Sequence, residues 1–274
     1  MKYKKLVQCY EKISNTSKRL TKTYHVSELI RDTDTKEIDE VLLLLNGRIY
    51  PPRDKHDMGV AARLIIKALV LATGTNTKKV EKEWKKTGDL GVATSNMMNK
   101  KEQSTLFSNE LTVKKVFNDL RKLSKTTGKG AVDQKIKIIS GLLSSASDTE
   151  AQYIVRTVLE DLRVGIGDGT IRDAIVWSSV KGLKITYDEK ENSFDYKLND
   201  KLDNLLEEDK KYNQIVEIVQ NAYDIKNDFA KVVKILRKEG LSGIMDVKIE
   251  IGKPIKVMLY QKAKDIEDAF SIVG

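Results

Sequence analysis

Three glycines fall within five positions in the stretch LRVGIGDGT (162–170), with Arg163 before them and Thr170 after. A second stretch, TTGKGAVDQK (126–135), repeats the pattern: Gly128 and Gly130 flank Lys129, and Lys135 follows one helical turn on. Glycine tolerates a positive φ and has no Cβ to hold a ligand away from the backbone. If each stretch opens a helix, the unpaired N–H groups of that helix point back into the loop and carry a partial positive charge. Such a place suits a phosphate. A glycine at a helix end is also an ordinary C-cap, so one loop alone would say little. Two loops of one design, each with a basic neighbour, fit successive phosphates of a polymer backbone better than one mononucleotide. Neither follows a strand, so neither is a P-loop or a dinucleotide fingerprint.

The flanking sequence has to position these loops. Before the first glycine stretch, Ala151, Ile154, Val155, Val158, Leu159 and Leu162 recur at helical spacing. This predicts a helix over 148–164 with Asp148 as its N-cap. Thr170, with Asp173 three positions later, resembles a capping box and predicts the next helix from Thr170. Val113, Val116, Phe117, Leu120 and Leu123 form a stripe behind Thr112, a candidate N-cap. Residues 59–74, 77–91 and 131–147 also read as helices, and a break falls near Ser14, Asn15 and Thr16. Residues 184–196 are polar and read as a loop. A period of two first emerges at Val247, Ile249 and Ile251, which predicts a strand.

Composition sets the frame. The chain has 274 residues and 40% hydrophobic content, enough for a buried core. The net charge of +9 favours polyanionic partners. Cys9 stands alone, which rules out an intrachain disulfide and suits a reducing, intracellular setting. His25 and His56 are the only histidines. They support neither a cysteine nucleophile nor a metal site, so no catalytic residue and no metal ligand is assigned. The longest apolar runs, 41–45 and 64–72, are too short to span a membrane. Trp84 and Trp177 sit in helical stripes and read as core. Asp203, Glu207 and Glu208 read as a solvated face.

VRTVLEDLRVGIGDGTIRDA (155–174), preceded by TGKGAVDQKIKIISGLL (127–143), resembles the N-terminal DNA-binding domain of ATP-dependent DNA ligases, particularly the archaeal type. GKPIKVML (252–259) resembles the segment that opens their nucleotidyltransferase domain. The resemblance implies an all-α, multi-helix domain over 1–240. It also implies a linker and a short β-containing stub of the adenylation domain over 241–274. It implies a monomer that grips nicked double-stranded DNA from the minor groove, working with the chromosome. Arg163, Gly165, Gly169 and Thr170 would form one contact loop and Gly128, Lys129 and Gly130 the other, with Lys135 a nearby phosphate ligand. Some relatives carry a glycine just before the Leu-Arg pair. Glu160 and Asp161 stand there in this chain, which implies a lost or shifted backbone contact.

The family's adenylated lysine lies in a Lys-x-Asp-Gly motif. The one Asp-Gly pair here, Asp168-Gly169, has Ile166 in the lysine's place. These residues are therefore expected to be inactive alone, with no cofactor of their own, although a complete ligase needs ATP and Mg²⁺. In KEQSTLFSNELT (101–112), Gln103, Leu106 and Phe107 resemble the family's sliding-clamp-binding peptide. A loop that dips into the core accounts for the same residues. The rival to a ligase module is a free-standing helical adaptor that joins DNA to a clamp.

Overall fold

In a computed structural model, residues 1–51, 54, 57–99, 110–206 and 210–249 are described. The described residues form thirteen helices and one antiparallel hairpin. The order is α1 (Tyr3–Ser14), α2 (Arg19–Arg31), α3 (Ile38–Leu45), α4 (Ala62–Thr73), α5 (Thr77–Thr87), α6 (Leu90–Asn99), α7 (Val113–Lys125), α8 (Ala131–Ser145), α9 (Asp148–Val158) and α10 (Asp168–Ser179). Then follow β1 (Leu183–Asp188), β2 (Ser193–Leu198), α11 (Asp200–Asp203), α12 (Lys211–Lys226) and α13 (Phe229–Met245). One hydrophobic core runs through them, from Leu6 and Tyr10 on α1 to Val233 and Leu236 on α13. No described helix is long and apolar enough to cross a membrane.

The sequence accounts for several helix boundaries. The Asn76 side chain accepts from Lys79 N–H and starts α5. The Thr112 side chain accepts from Lys115 N–H and starts α7, as the stripe behind it predicts. Gly74 and Gly88 close α4 and α5 in the left-handed conformation. The stripe of α7 is buried as read, with Val113, Val116, Leu120 and Leu123 fully covered.

Several expectations need correcting. First, the N-cap of α9 is Ser147, not Asp148: its hydroxyl accepts from Glu150 N–H, and Glu150 accepts from Ser147 N–H in return. Second, α9 stops at Val158 rather than 164, and Leu162 keeps its buried place from a non-helical segment. Third, α10 starts at Asp168, with Gly167 as N-cap, so Thr170 lies in its first turn instead of capping it. Fourth, residues 184–196 are not a loop. Leu183, Ile185 and Tyr187 on β1 pair with Leu198, Tyr196 and Phe194 on β2. Their alternation was present in the sequence but was masked by the charged turn between them. That turn closes where Asp188 accepts from Lys190 and Glu191 N–H. The hairpin packs on Trp177, which is 4.9 Å from Phe194 between ring centroids and donates its indole N–H to Tyr212. Trp177 is thus core, as read, and Trp84 packs half-buried against the core. The strand expected at Val247 and Ile249 does not form there. Ile251 and the rest of the C-terminal segment lie outside the described residues.

Candidate nucleic-acid interface

The segment between α9 and α10 turns on two non-glycine residues in the left-handed region, Glu160 (φ 57°) and Arg163 (φ 56°), and on Gly165 (φ 62°). Left-handed non-glycine residues cost about 1 kcal/mol or more and persist only where the surroundings fix them. Each is fixed here. The Glu160 carboxylate accepts from Met58 N–H at 3.1 Å. Glu160 therefore supplies the conformation a glycine would adopt at that position. Arg163, expected at the end of a helix, stands in the irregular segment after α9 instead. Its Nε donates to Asp161 at 2.6 Å and its Nη1 to Asp89 at 3.3 Å. Asp89 is the hub. Its Oδ1 accepts from Gly91 and Val92 N–H at the start of α6, and its Oδ2 takes Nε and Nη2 of Arg156. Burial would raise the Asp89 pKa. The Arg156 hydrogen bonds, the Val92 N–H and the charges of Arg156 and Arg163 outweigh burial and hold it below the usual value.

The three glycines of the opening stretch do different jobs. Gly165 needs its positive φ, and its carbonyl accepts from Lys22 Nζ at 2.6 Å. Gly167 has an ordinary extended φ of −123°, and a methyl group there would meet nothing within 4 Å. Gly169 lies in the first turn of α10, where a methyl group would come no closer than 3.6 Å to Arg19 Nη2. Neither backbone conformation nor packing asks for glycine at 167 or 169. Gly167 also lines a cavity of about 470 Å³ together with Arg48, Arg121, Tyr223 and Phe229. The Asp168 carboxylate accepts from Tyr223 Oη on this side.

The second loop has the same construction. Gly128 (φ 88°) and Gly130 (φ 82°) are both left-handed, and Gly130 caps α8. A methyl group at either would meet open space. Lys129 is exposed and makes no ion pair among the described residues.

Lys135 departs from expectation. It is 9% exposed, and its Nζ donates to Met58 O and Gly59 O, both at 3.0 Å. It braces residues 58–59 instead of presenting its charge outward. Because Met58 N–H also holds Glu160, this one segment ties the helix behind the Gly128–Gly130 loop to the turn that leads into the Arg163 loop. Lys135→Met is expected to lower stability by about 1–2 kcal/mol, since two carbonyls lose their donor. The salt dependence of DNA binding should stay unchanged, whereas a phosphate-contacting lysine would take about one unit off the slope. Melting curves and a salt titration of the one variant decide between these roles.

Sequence patterning did not reveal Lys22, Arg19, Asp89 or Arg156. Lys22 and Arg19 come from α2, far away in sequence, and Arg19 pairs with Asp173 on α10. Only the packing of α2 on α10 brings them to the loop. Gln103, Leu106 and Phe107, the candidate clamp peptide, lie outside the described residues, as do Glu207 and Glu208.

Fold and surface together define a mostly helical domain with one antiparallel hairpin, and it presents two glycine-turned helix junctions, each with basic residues beside it. Residues 2–176 match the family described as DNA ligase N terminus, and the chain belongs to that family. Among curated proteins it is similar to the DNA ligase of Methanothermobacter thermautotrophicus, at 33% identity over 99% of this chain and 43% of that protein. It is similar to the DNA ligase of Thermococcus fumicolans at 32% over 100% and 43%, and to that of Nitrosopumilus maritimus at 31% over 100% and 42%. The chain thus spans less than half the length of these relatives. The resemblance read from LRVGIGDGT and TGKGAVDQK is borne out at the level of family.

Proposed function

We propose that this chain is the DNA-gripping module of an ATP-dependent DNA ligase. It holds nicked duplex by its phosphates and minor groove while the break is sealed in replication and repair. One observation carries most weight: Gly167 and Gly169 stand where the fold does not require glycine. Their bare backbone leaves room for something to reach the start of α10, and a phosphate is what a helix start accepts. Family membership and the net charge of +9 agree with a duplex as that partner. Contacts made through backbone N–H groups and Arg163 position a protein without reading bases. Binding is therefore expected to be nearly independent of sequence. The adenylation chemistry, with ATP and Mg²⁺, would come from the rest of a ligase chain.

The test is a fluorescence titration of a nicked duplex at several salt concentrations. Affinity should fall steeply as salt rises, because counterions are released on binding. Arg163→Ala should weaken all sequences alike and lower the salt slope by about one unit. Asp161→Asn should act the other way. Asp161 is exposed and pairs with Arg163, so a phosphate has to displace it. Removing that competitor should tighten binding by about two- to fivefold, the range an exposed ion pair allows. The gain should vanish in the Arg163→Ala background. Binding that ignores salt, or an Arg163→Ala variant that binds like the parent, would overturn this reading.

A further inference from the structure

α5 carries five lysines, Lys78, Lys79, Lys82, Lys85 and Lys86, against two glutamates, Glu81 and Glu83. At about 100° per residue, the five lysines fall within an arc of roughly 120°, centred opposite Val80 and Trp84, which face inward. All five are exposed, and none makes an ion pair among the described residues. The glutamates lie on the two flanks of the arc, and Glu83 is engaged by the side-chain amide of Asn96. One helix thus holds an unneutralised stripe of positive charge that packing does not require, since Val80 is its one buried residue.

The stripe has a fixed relation to the Arg163 loop. Gly88 closes α5, and the next residue, Asp89, takes the Arg163 guanidinium. The C-terminal end of α5 therefore abuts that loop, and the helix runs away from it for about 16 Å. Lys85 and Lys86 stand near the loop, and Lys78 and Lys79 stand at the far end. We propose that this arc is a second contact surface for duplex DNA, engaging backbone phosphates that flank the stretch held by the two glycine loops. This rests on the DNA-gripping reading given above. The dimensions suit it: Lys78 to Lys86 spans about 12 Å of helix axis, and one strand of B-DNA presents a phosphate about every 3.4 Å along its axis. Three or so phosphates lie within reach, and lysine, a mobile point charge, neutralises them without demanding a fixed geometry.

The experiment uses the full chain and two nicked duplexes, of about one and a half and about three helical turns, each titrated at several salt concentrations. Glutamine replaces all five lysines (Lys78→Gln, Lys79→Gln, Lys82→Gln, Lys85→Gln, Lys86→Gln). Glutamine keeps helix propensity, and melting curves confirm the fold. On the long duplex the salt slope should fall by about 3 units, with affinity down at least tenfold. The distal pair Lys78→Gln/Lys79→Gln should matter on the long duplex alone, and the proximal pair Lys85→Gln/Lys86→Gln on both. An unchanged slope on the long duplex overturns the proposal and leaves the stripe a solvated face. Equal losses at both lengths for the distal pair overturn it too, because the arc would then not flank the site. Arg163→Ala separates the two readings. If it weakens both duplexes while the lysine variants change nothing, the arc alone fails. If it too changes nothing, the DNA-gripping reading fails, and the arc proposal falls with it.

Discussion

Asp89→Ala should lower the melting temperature by about 8–16 °C, the largest stability loss expected of the substitutions considered. Its side chain is 10% exposed and does three jobs at once. It caps α6, it takes both ends of the Arg156 guanidinium, and it holds Nη1 of Arg163. Truncating it strands Arg156, itself 12% exposed, as a buried charge without its partner. Removing one member of such a pair costs about 3 kcal/mol or more, and a lost cap adds about 1 kcal/mol. For a chain of this size each kcal/mol is worth about 2–4 °C. The same residue sets an acid limb. Its folded pKa lies below the ordinary 3.8, so the native state favours the carboxylate more than the unfolded chain does. That stabilisation is complete above the unfolded value, declines as pH falls below it, and is gone below the folded value. Asp89→Asn should therefore flatten the loss of stability below about pH 4 relative to the parent. Melting curves from pH 2.5 to 7 check both statements. An Asp89→Ala variant within about 2 °C of the parent would mean that Arg156 finds another partner.

The Asp89 cluster also shows what could be read from the sequence and what could not. The helix closed by Gly74, the cap at Thr112 and the buried stripe of α7 follow from local chemistry, and each stands where the pattern put it, whereas the single helix read over 77–91 divides at Gly88 into α5 and α6. The glycine loops were legible for the same reason, because a positive φ at Gly128, Gly130 and Gly165 leaves a mark on residue type. Glu160 and Arg163 left no such mark. Their left-handed backbones are held by Met58 and by two aspartates, and nothing local announces that. The end of α9 departs from the pattern because Leu162 continues the helical period while standing in a non-helical segment. A buried apolar residue satisfies the pattern whichever backbone delivers it. Lys135 was misplaced for a related reason. A lysine one turn into a helix behind a glycine loop looks like a phosphate ligand. The carbonyls of Met58 and Gly59 that capture it come from more than seventy positions away.

The hairpin failed differently. Its alternation was complete, but two six-residue strands with lysines and aspartates on the outer face bury little by themselves. They are stable because Trp177, Tyr212 and Tyr24 supply an aromatic floor. A two-stranded ribbon is marginal without such support. That support is tertiary, so reading residues 184–196 in isolation favoured a loop.

Gly167→Asp should move stability and DNA binding in opposite directions. As the N-cap of α10, Gly167 has extended backbone (φ −123°, ψ 174°) and no side chain to accept from the first turn. Aspartate suits that backbone, can accept from the N–H two or three residues on, and places a negative charge at the positive end of the helix. A methyl group at the site meets nothing within 4 Å, so the larger side chain has room. The melting temperature should hold or rise by about 1–2 °C, a few tenths of a kcal/mol at this size. For folding alone, then, aspartate is at least as good as the glycine present. DNA binding should fall at least tenfold, because the new carboxylate occupies the N–H groups a phosphate would use and repels it. Gly169→Val supplies the neutral control. It lies within α10 with a helical backbone, and its nearest obstacle would be Arg19 Nη2 at 3.6 Å. It should fold as well as the parent and lose affinity by bulk alone, with the salt slope kept. Gly165→Val is the poorer probe, since its φ of 62° would be strained by any side chain and would confound folding with binding. The measurement is a melting curve and a salt-resolved titration of nicked duplex for each variant. If Gly167→Asp and Gly169→Val both bind DNA like the parent, the start of α10 holds no phosphate, and the glycines of this stretch serve only to join two helices.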